Sequence, residues 1–336
     1  MTPSSSSSVI RTRGLTRHFT RHQQTIEAVR GLDLDIVEGE LVALLGPNGA
    51  GKSTTLRMLT TLVAPTSGTA EVAGHDVVRD HRAVRRSIGY VGQGNAAGHQ
   101  QRGRDELVSQ GRSFGMPRRA ARARAEELLD AFDLTGTADR PVATLSGGQR
   151  RRLDVAIGLV QSPRVLFLDE PSTGLDPQNR ANLQEQVRRL HQRQGTTIVL
   201  TTHYLEEADA LADRVVVIDH GRVIADDTAT ALKSGLGDLV TLGLAAEADA
   251  VTAADRAGAG VPGAAVERAG TTVRVRAPRA AEHAAGLVTD LAAAGVPVAR
   301  LEVATATLDD VFLELTGRSL RESDQTPTTA LEGASA

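Results

Sequence analysis

Three clusters of residues in this chain have the types and spacing to work on a phosphate chain. The run Gly46-Pro47-Asn48-Gly49-Ala50-Gly51-Lys52-Ser53 fits the pattern G-x-x-x-x-G-K-[ST] at every position. Its glycines let the backbone curl until successive amide hydrogens point inward at phosphate oxygens. The helix expected next, Ser53 to Leu59 with Thr54 in its first turn, offers unpaired amides and the positive end of its dipole. Lys52 supplies a point charge for the β- and γ-phosphates, and the Ser53 hydroxyl can ligate Mg²⁺. This loop predicts a nucleoside triphosphate as ligand, but not which reaction follows.

The second cluster is Val165-Leu166-Phe167-Leu168 followed by Asp169-Glu170. Four apolar residues ending in an acid form a strand that sets Asp169 beside the first loop as a Mg²⁺ ligand, direct or through water. Glu170 is then free to take a proton from an attacking water, a role typically worth about 10²–10⁴-fold. The third cluster is Leu145-Ser146-Gly147-Gly148-Gln149, opening a helix near Arg150. Such a stretch is a second anion cradle for the same backbone reason as the first, and taken alone it is equally an ordinary helix cap with a turn.

The elements that must carry these residues are legible as alternation. Leu41–Leu45, Val165–Leu168, Thr196–Leu200 and Arg214–Ile218 are short apolar runs that each end in polar residues, the pattern of a sheet buried on both faces. Ligands of such sheets collect at the carboxyl ends of the strands. Pro117 to Leu134 reads as an amphipathic helix. The expected class is α/β for residues 9–234, with a helical subdomain over about 94–160. The composition shifts near Gly235. The segment 235–318 then reads as a small α+β domain of βαββαβ order, compatible with a ferredoxin-like arrangement. Residues 1–8 read as a disordered lead-in and 319–336 as a disordered tail.

Composition narrows the function classes. With 38 Lys+Arg against 41 Asp+Glu the net charge is −3, so no strongly charged partner is implied. Zero Cys excludes thiol nucleophiles, zinc–cysteine sites and disulfides. Five Phe, two Tyr and no Trp leave too few aromatic faces for a base-stacking platform. No apolar run approaches the ~20 residues of a spanning helix. Almost all basic residues are Arg, Lys standing only at 52 and 233, so Lys52 is marked as a place where Arg would not serve.

With the two cradles and the acidic strand end together, the chain resembles the nucleotide-binding subunit of an ABC transporter, whose signature sequence is Leu-Ser-Gly-Gly-Gln. That resemblance makes Lys52, Gln93, Glu170 and His203 the catalytic set. Gln93, in Gly89-Tyr-Val-Gly-Gln93, matches a loop glutamine that senses Mg²⁺ and water and couples to the membrane partner. Ser172-Thr-Gly-Leu-Asp176 looks like the loop that crosses the subunit boundary, and His203 like the switch histidine that contacts the γ-phosphate. Phe19 stands where relatives stack an aromatic on adenine; it is equally placed to pack a small N-terminal sheet. The family implies a head-to-tail homodimer with each MgATP between the P-loop of one copy and Ser146-Gly147-Gly148-Gln149 of the other. It also implies an integral-membrane permease on a separate chain and a peripheral position on the cytoplasmic face of the membrane; near-neutral charge and few aromatics speak against a nucleic-acid partner.

Thr201–Asp209 and Thr307–Arg318 resemble the daunorubicin/doxorubicin-resistance type of drug-export ATPase. The second stretch is also a plain amphipathic closing helix, with Leu308, Val311, Phe312 and Leu315 at helical spacing. Gln101-Arg102 departs from that subfamily, which carries apolar Leu-Thr where relatives dock the membrane subunit. The Arg clusters at 118–124 and 150–152 read as solvated helix faces. The alternative function is a soluble ATP-driven switch acting on a ribosome or nucleic-acid partner.

Overall fold

The computed structural model describes residues 8–21, 24–94, 96–98 and 100–317. The expected tail from 319 lies outside these residues, as does the lead-in up to residue 7; Ser8 already belongs to a strand. The chain divides into two compact units, residues 1–226 and 227–336. The division falls ahead of the composition shift at Gly235, because the helix spanning that shift belongs to the second unit.

The first unit opens with two long strands, β1 (Ser8–Arg21) and β2 (Gln24–Val37), then β3 (Leu41–Leu45) and helix α1 (Lys52–Leu59). A second strand pair, β4 (Ser67–Val72) and β5 (His75–Asp76), leads through α2 (His81–Ser87) to β6 (Ile88–Val91). Three helices follow within the span 94–160, α3 (Gly103–Ser113), α4 (Arg118–Ala131) and α5 (Gly147–Gly158). The unit closes with β7 (Val165–Asp169), α6 (Pro177–Gln194), β8 (Thr197–Thr202), α7 (Leu205–Leu211), β9 (Arg214–Asp219) and β10 (Arg222–Asp227).

The central sheet has the order β10-β9-β3-β8-β7-β6, parallel from β9 to β6. The four apolar runs are its middle strands, and β3, β7 and β8 are buried at every position. Buried on both faces, they need continuous apolar sequence, which is why they were readable. The edge strands β6 and β10 lack that signal. A second, antiparallel sheet, β2-β1-β4-β5, contributes Ile10, Leu15, Leu34 and Ile36 to a core shared with Leu56, Met58, Phe167 and Val199. The carboxyl ends of β3, β6, β7 and β8 lead directly into the residues singled out above.

The second unit holds α8 (Ala229–Leu236), β11 (Asp238–Leu244), α9 (Glu247–Gly260), β12 (Ala265–Ala269), β13 (Thr272–Ala277), α10 (Ala280–Ala293), β14 (Val298–Ala304) and α11 (Leu308–Thr316). Between α8 and α11 runs the βαββαβ order, folded as an antiparallel sheet β12-β13-β11-β14. Ala250, Ala253 and Ala257 of α9 are buried against Val240, Leu242, Val273 and Val275. Methyl-sized contacts let the helix sit close to the sheet, which hides its pattern from a reading based on large apolar residues. In α11 a Thr307–Asp310 capping box fixes the start, and Leu308, Val311 and Phe312 are buried, but Leu315 is 47% exposed.

No described helix is long and apolar enough to cross a membrane. Phe167 is fully buried in the middle of β7. Phe167→Ala is expected to remove about 3–5 kcal/mol of stability, seen as a lower urea midpoint of the first unit's unfolding transition without a change in its slope.

Candidate functional site

The loop after β3 is shaped by what cannot fit in it. Gly51 has φ +106°, and a Cβ there would lie 2.4 Å from the Ala28 carbonyl oxygen, so no side chain is tolerated where α1 begins. Lys52 follows as the first helical residue and is buried, 4% exposed. Its Nζ donates to the carbonyls of Gly46 at 2.6 Å and Pro47 at 3.0 Å, and stands 3.8 Å from Glu170 Oε1. A short, flexible ammonium can fold back on its own loop in this way, which the longer, planar Arg fork cannot.

Asp169, fully buried at the end of β7, gathers the neighbouring strands. Its Oδ1 accepts from Ser53 Oγ at 2.7 Å and Thr201 Oγ1 at 2.8 Å, and its Oδ2 from Tyr90 OH at 3.4 Å. Thr201 Oγ1 in turn accepts the Glu170 amide at 2.9 Å. Glu170 adopts the left-handed φ of +48°, which turns its side chain off the strand line. Its Oε2 lies 3.7 Å from His203 Nδ1 and accepts from Thr173 Oγ1 at 3.3 Å. Burial pushes the Glu170 carboxyl up, but His203 and the Lys52 charge outweigh it and hold it below the ordinary carboxylate value. The His203 Nδ1 atom is buried with no hydrogen-bond partner.

Ser146 caps α5 through a reciprocal pair: the Gln149 amide donates to Ser146 Oγ at 3.2 Å, and the Ser146 amide to Gln149 Oε1 at 3.0 Å. The ordinary cap is therefore present, and it leaves room beside it. A Cβ on Gly148 would strike Asn179 Oδ1 at 2.2 Å, whereas one on Gly147 would enter open space. Asp176 caps α6, accepting from the Asn179 amide at 2.9 Å and side-chain Nδ2 at 2.6 Å. Gln93 is exposed just beyond β6. Phe19 is 37% exposed on β1 with the Arg17 guanidinium 4.5 Å above its ring.

A family model described as "ABC transporter" matches residues 29–173. Daunorubicin resistance ATP-binding protein DrrA2 of Streptomyces coeruleorubidus is 46% identical over 303 residues, covering 88% of this chain and 92% of that protein. The chain belongs to the ABC transporter family of ATP-binding proteins. DrrA3 of the same organism is 53% identical over 211 residues, and daunorubicin/doxorubicin resistance ATP-binding protein DrrA of Streptomyces peucetius 53% over 213; these matches span 63% of this chain and 66% and 64% of the relatives. The dimeric ATP-binding cassette MJ0796 bound to ADP and Pi superposes at TM-score 0.60 with 26% identity, covering 65% of this chain and 98% of its own. The subunit cbiO1 of Clostridium perfringens, part of the ABC transporter complex cbiONQ, gives 0.60 and 28%, covering 66% and 88%. As a member of that family the chain is an ATP-binding protein.

The ABC signature helix also carries residues that the sequence reading missed. Arg150–Arg152 read as a solvated face, yet Arg151 is only 8% exposed. Its Nε donates to the Pro171 carbonyl at 2.8 Å, Nη1 to Gly92 at 2.7 Å, and Nη2 to Asp169 at 3.2 Å and Glu170 at 3.3 Å. The turn after β7 takes these carbonyls out of the sheet ladder, and a planar guanidinium satisfies them together. Burial lowers the Arg151 pKa, but the group stays charged. One turn further on, Asp154 Oδ1 accepts the amides of Ala96 at 2.9 Å and Ala97 at 3.2 Å, and burial pushes its carboxyl up. One helix face thus holds both ends of the loop that carries Gln93. Glu207 of α7, 1% exposed and pushed up by burial, accepts from Ser172 Oγ beside the Asp176 turn. An Arg in an Arg-rich helix gives no signal of burial; the i, i+3 spacing of Arg151 and Asp154 was the only available hint. Arg151→Lys, which cannot reach all four carbonyls, is expected to lower ATPase kcat about tenfold and leave the KM for ATP within about threefold, as measured by steady-state phosphate release.

Proposed function

We propose that this chain is the ATP-hydrolysing motor of a transporter that exports a drug or antibiotic through a separate integral-membrane permease, acting as a head-to-tail dimer at the cytoplasmic face of the membrane. The observation that carries the reading is the Glu170 carboxylate, ionised and held between the Lys52 ammonium and His203 Nδ1, one residue from the Ser53–Asp169 pair. The names of the relatives support export of a drug of the daunorubicin type.

In this mechanism Gly46 to Thr54 cradle the phosphates, and Lys52 turns from its loop carbonyls to the β- and γ-phosphates. Phe19 stacks on the base. Ser53 and Asp169 offer two hard oxygens side by side and, with Gln93, would hold Mg²⁺. When bound, Mg²⁺ neutralises charge developing on the phosphates. Glu170 takes the proton of the attacking water while His203 donates to the γ-phosphate. Ser146, Gly147, Gly148 and Gln149 of the second copy close the site, with Asp176 at the subunit boundary; the open space at Gly147 supports a phosphate approaching there. The permease docks on a groove of about 230 Å³ lined by Leu62, Tyr90, Phe114, Ile157 and Gln161, where Leu62 and Phe114 are exposed.

Glu170→Gln is expected to keep ATP affinity, to lose turnover by at least ~10²-fold and to sediment as a long-lived dimer in MgATP; a persistent monomer contradicts the shared site. Tagged chain recovered from mildly solubilised native membranes is expected to bring a polytopic membrane protein with it. Recovery with ribosomes alone would assign the ATPase to a soluble switch. The Glu170 carboxyl, followed by ¹³C NMR, is expected to titrate below its ordinary range, so that the base remains ionised down to that pH. In His203→Ala one of the groups lowering it is gone, and the titration moves upward.

A further inference from the structure

We infer that the C-terminal unit joins a second copy of this chain through the outer edge of β14, two β14 strands pairing antiparallel about a two-fold axis at Leu301. Strand β14 is the last in its sheet, and among the described residues its backbone is paired only on the β11 side. Its seven residues, Val298-Ala299-Arg300-Leu301-Glu302-Val303-Ala304, are nearly symmetric about Leu301. Antiparallel self-pairing at Leu301 sets Arg300 opposite the partner's Glu302, and Glu302 opposite the partner's Arg300. The two side chains already pair along their own strand and remain 74% and 53% exposed, so a second copy would extend them into a ladder of alternating charge.

The other face of the strand gives the same answer. Leu301 and Val303 pair with the buried Leu242 and Val240 of β11, yet they are 43% and 45% exposed. Self-pairing covers Leu301 with the partner's Leu301; Ala299 is skipped between the Arg300 and Val298 pairs with β11, so the regular pairing centres on Arg300, Leu301 and Glu302. A long edge strand with exposed apolar residues is a liability that proteins usually blunt with proline, bulges or inward charge. Here the irregularity at Ala299 affects only the start of the strand, and the charges on the regular remainder are the self-complementary pair. A contact that uses the same residues from both sides closes on itself as a dimer and does not propagate into a fibre. A seven-residue strand pair is smaller than the roughly 1,200 Å² of a self-sufficient interface, so the association is concentration-dependent.

The absence of Cys makes the test direct. Residues opposite each other across an antiparallel pair lie about 4.5 or 5.5 Å apart at Cα, within the range that a disulfide spans. Nucleotide-free full-length Leu301→Cys is expected to oxidise to a covalent dimer, far more than Glu267→Cys on the opposite edge strand; working without nucleotide separates this contact from the ATP-dependent one. Adding Arg300→Glu or Glu302→Arg to Leu301→Cys is expected to cut cross-linking about tenfold or more through like-charge contact. Mixing the two charge variants restores it as a heterodimer. Equal cross-linking at Leu301→Cys and Glu267→Cys would overturn the inference, as would charge variants that cross-link like the parent or fail to rescue each other.

Discussion

A carboxylate cut off from water has to be held, and the first unit is organised around holding Asp169. It and its three partners come from four contiguous strands of the sheet: Ser53 by way of β3 and its loop, Thr201 from β8, Tyr90 from β6, and Asp169 itself from β7. Each hydrogen bond lost to a buried group of this kind costs about 1–3 kcal/mol. The register of those four strands is therefore tied to the position of one carboxylate. The same tie places Glu170, because Thr201 Oγ1 bridges Asp169 Oδ1 and the Glu170 amide.

Arg151 extends that constraint beyond the sheet. A single guanidinium spans the carbonyls of Asp169, Glu170 and Pro171 on one side and Gly92 on the other. Asp154 holds the far end of the Gly92–Ala97 segment from the same helix face. The helix that begins at Ser146 therefore cannot shift without moving either the Gln93 loop or the turn at Glu170. This gives Ser146-Gly147-Gly148-Gln149 a mechanical link to the carboxylate of Glu170 in its own chain.

The second unit is built with different material. Its helices pack on alanine, and its sheet ends in a strand whose outer side is apolar, charged in a self-complementary way and uncovered. The similarity to DrrA2 runs over 303 residues, more than the first unit contains, so that relative shares part of this second unit as well.

What the sequence determined by itself was whatever rests on local pattern. The P-loop, the Asp169–Glu170 strand end and the Ser146 cap were legible because phosphate cradles and helix starts are made by consecutive residues. The central strands were legible because burial on both faces demands unbroken apolar runs. Fixed spacing could not reveal which side chains meet across the fold. Thr201 and Tyr90 stood inside recognised stretches with no role of their own until the parallel register brought them to Asp169. Arg151 looked like any other arginine until the turn at Glu170 left carbonyls for it to satisfy. The edge of β14, too, was decided by topology: strand order, which no single segment encodes, is what leaves Leu301 uncovered.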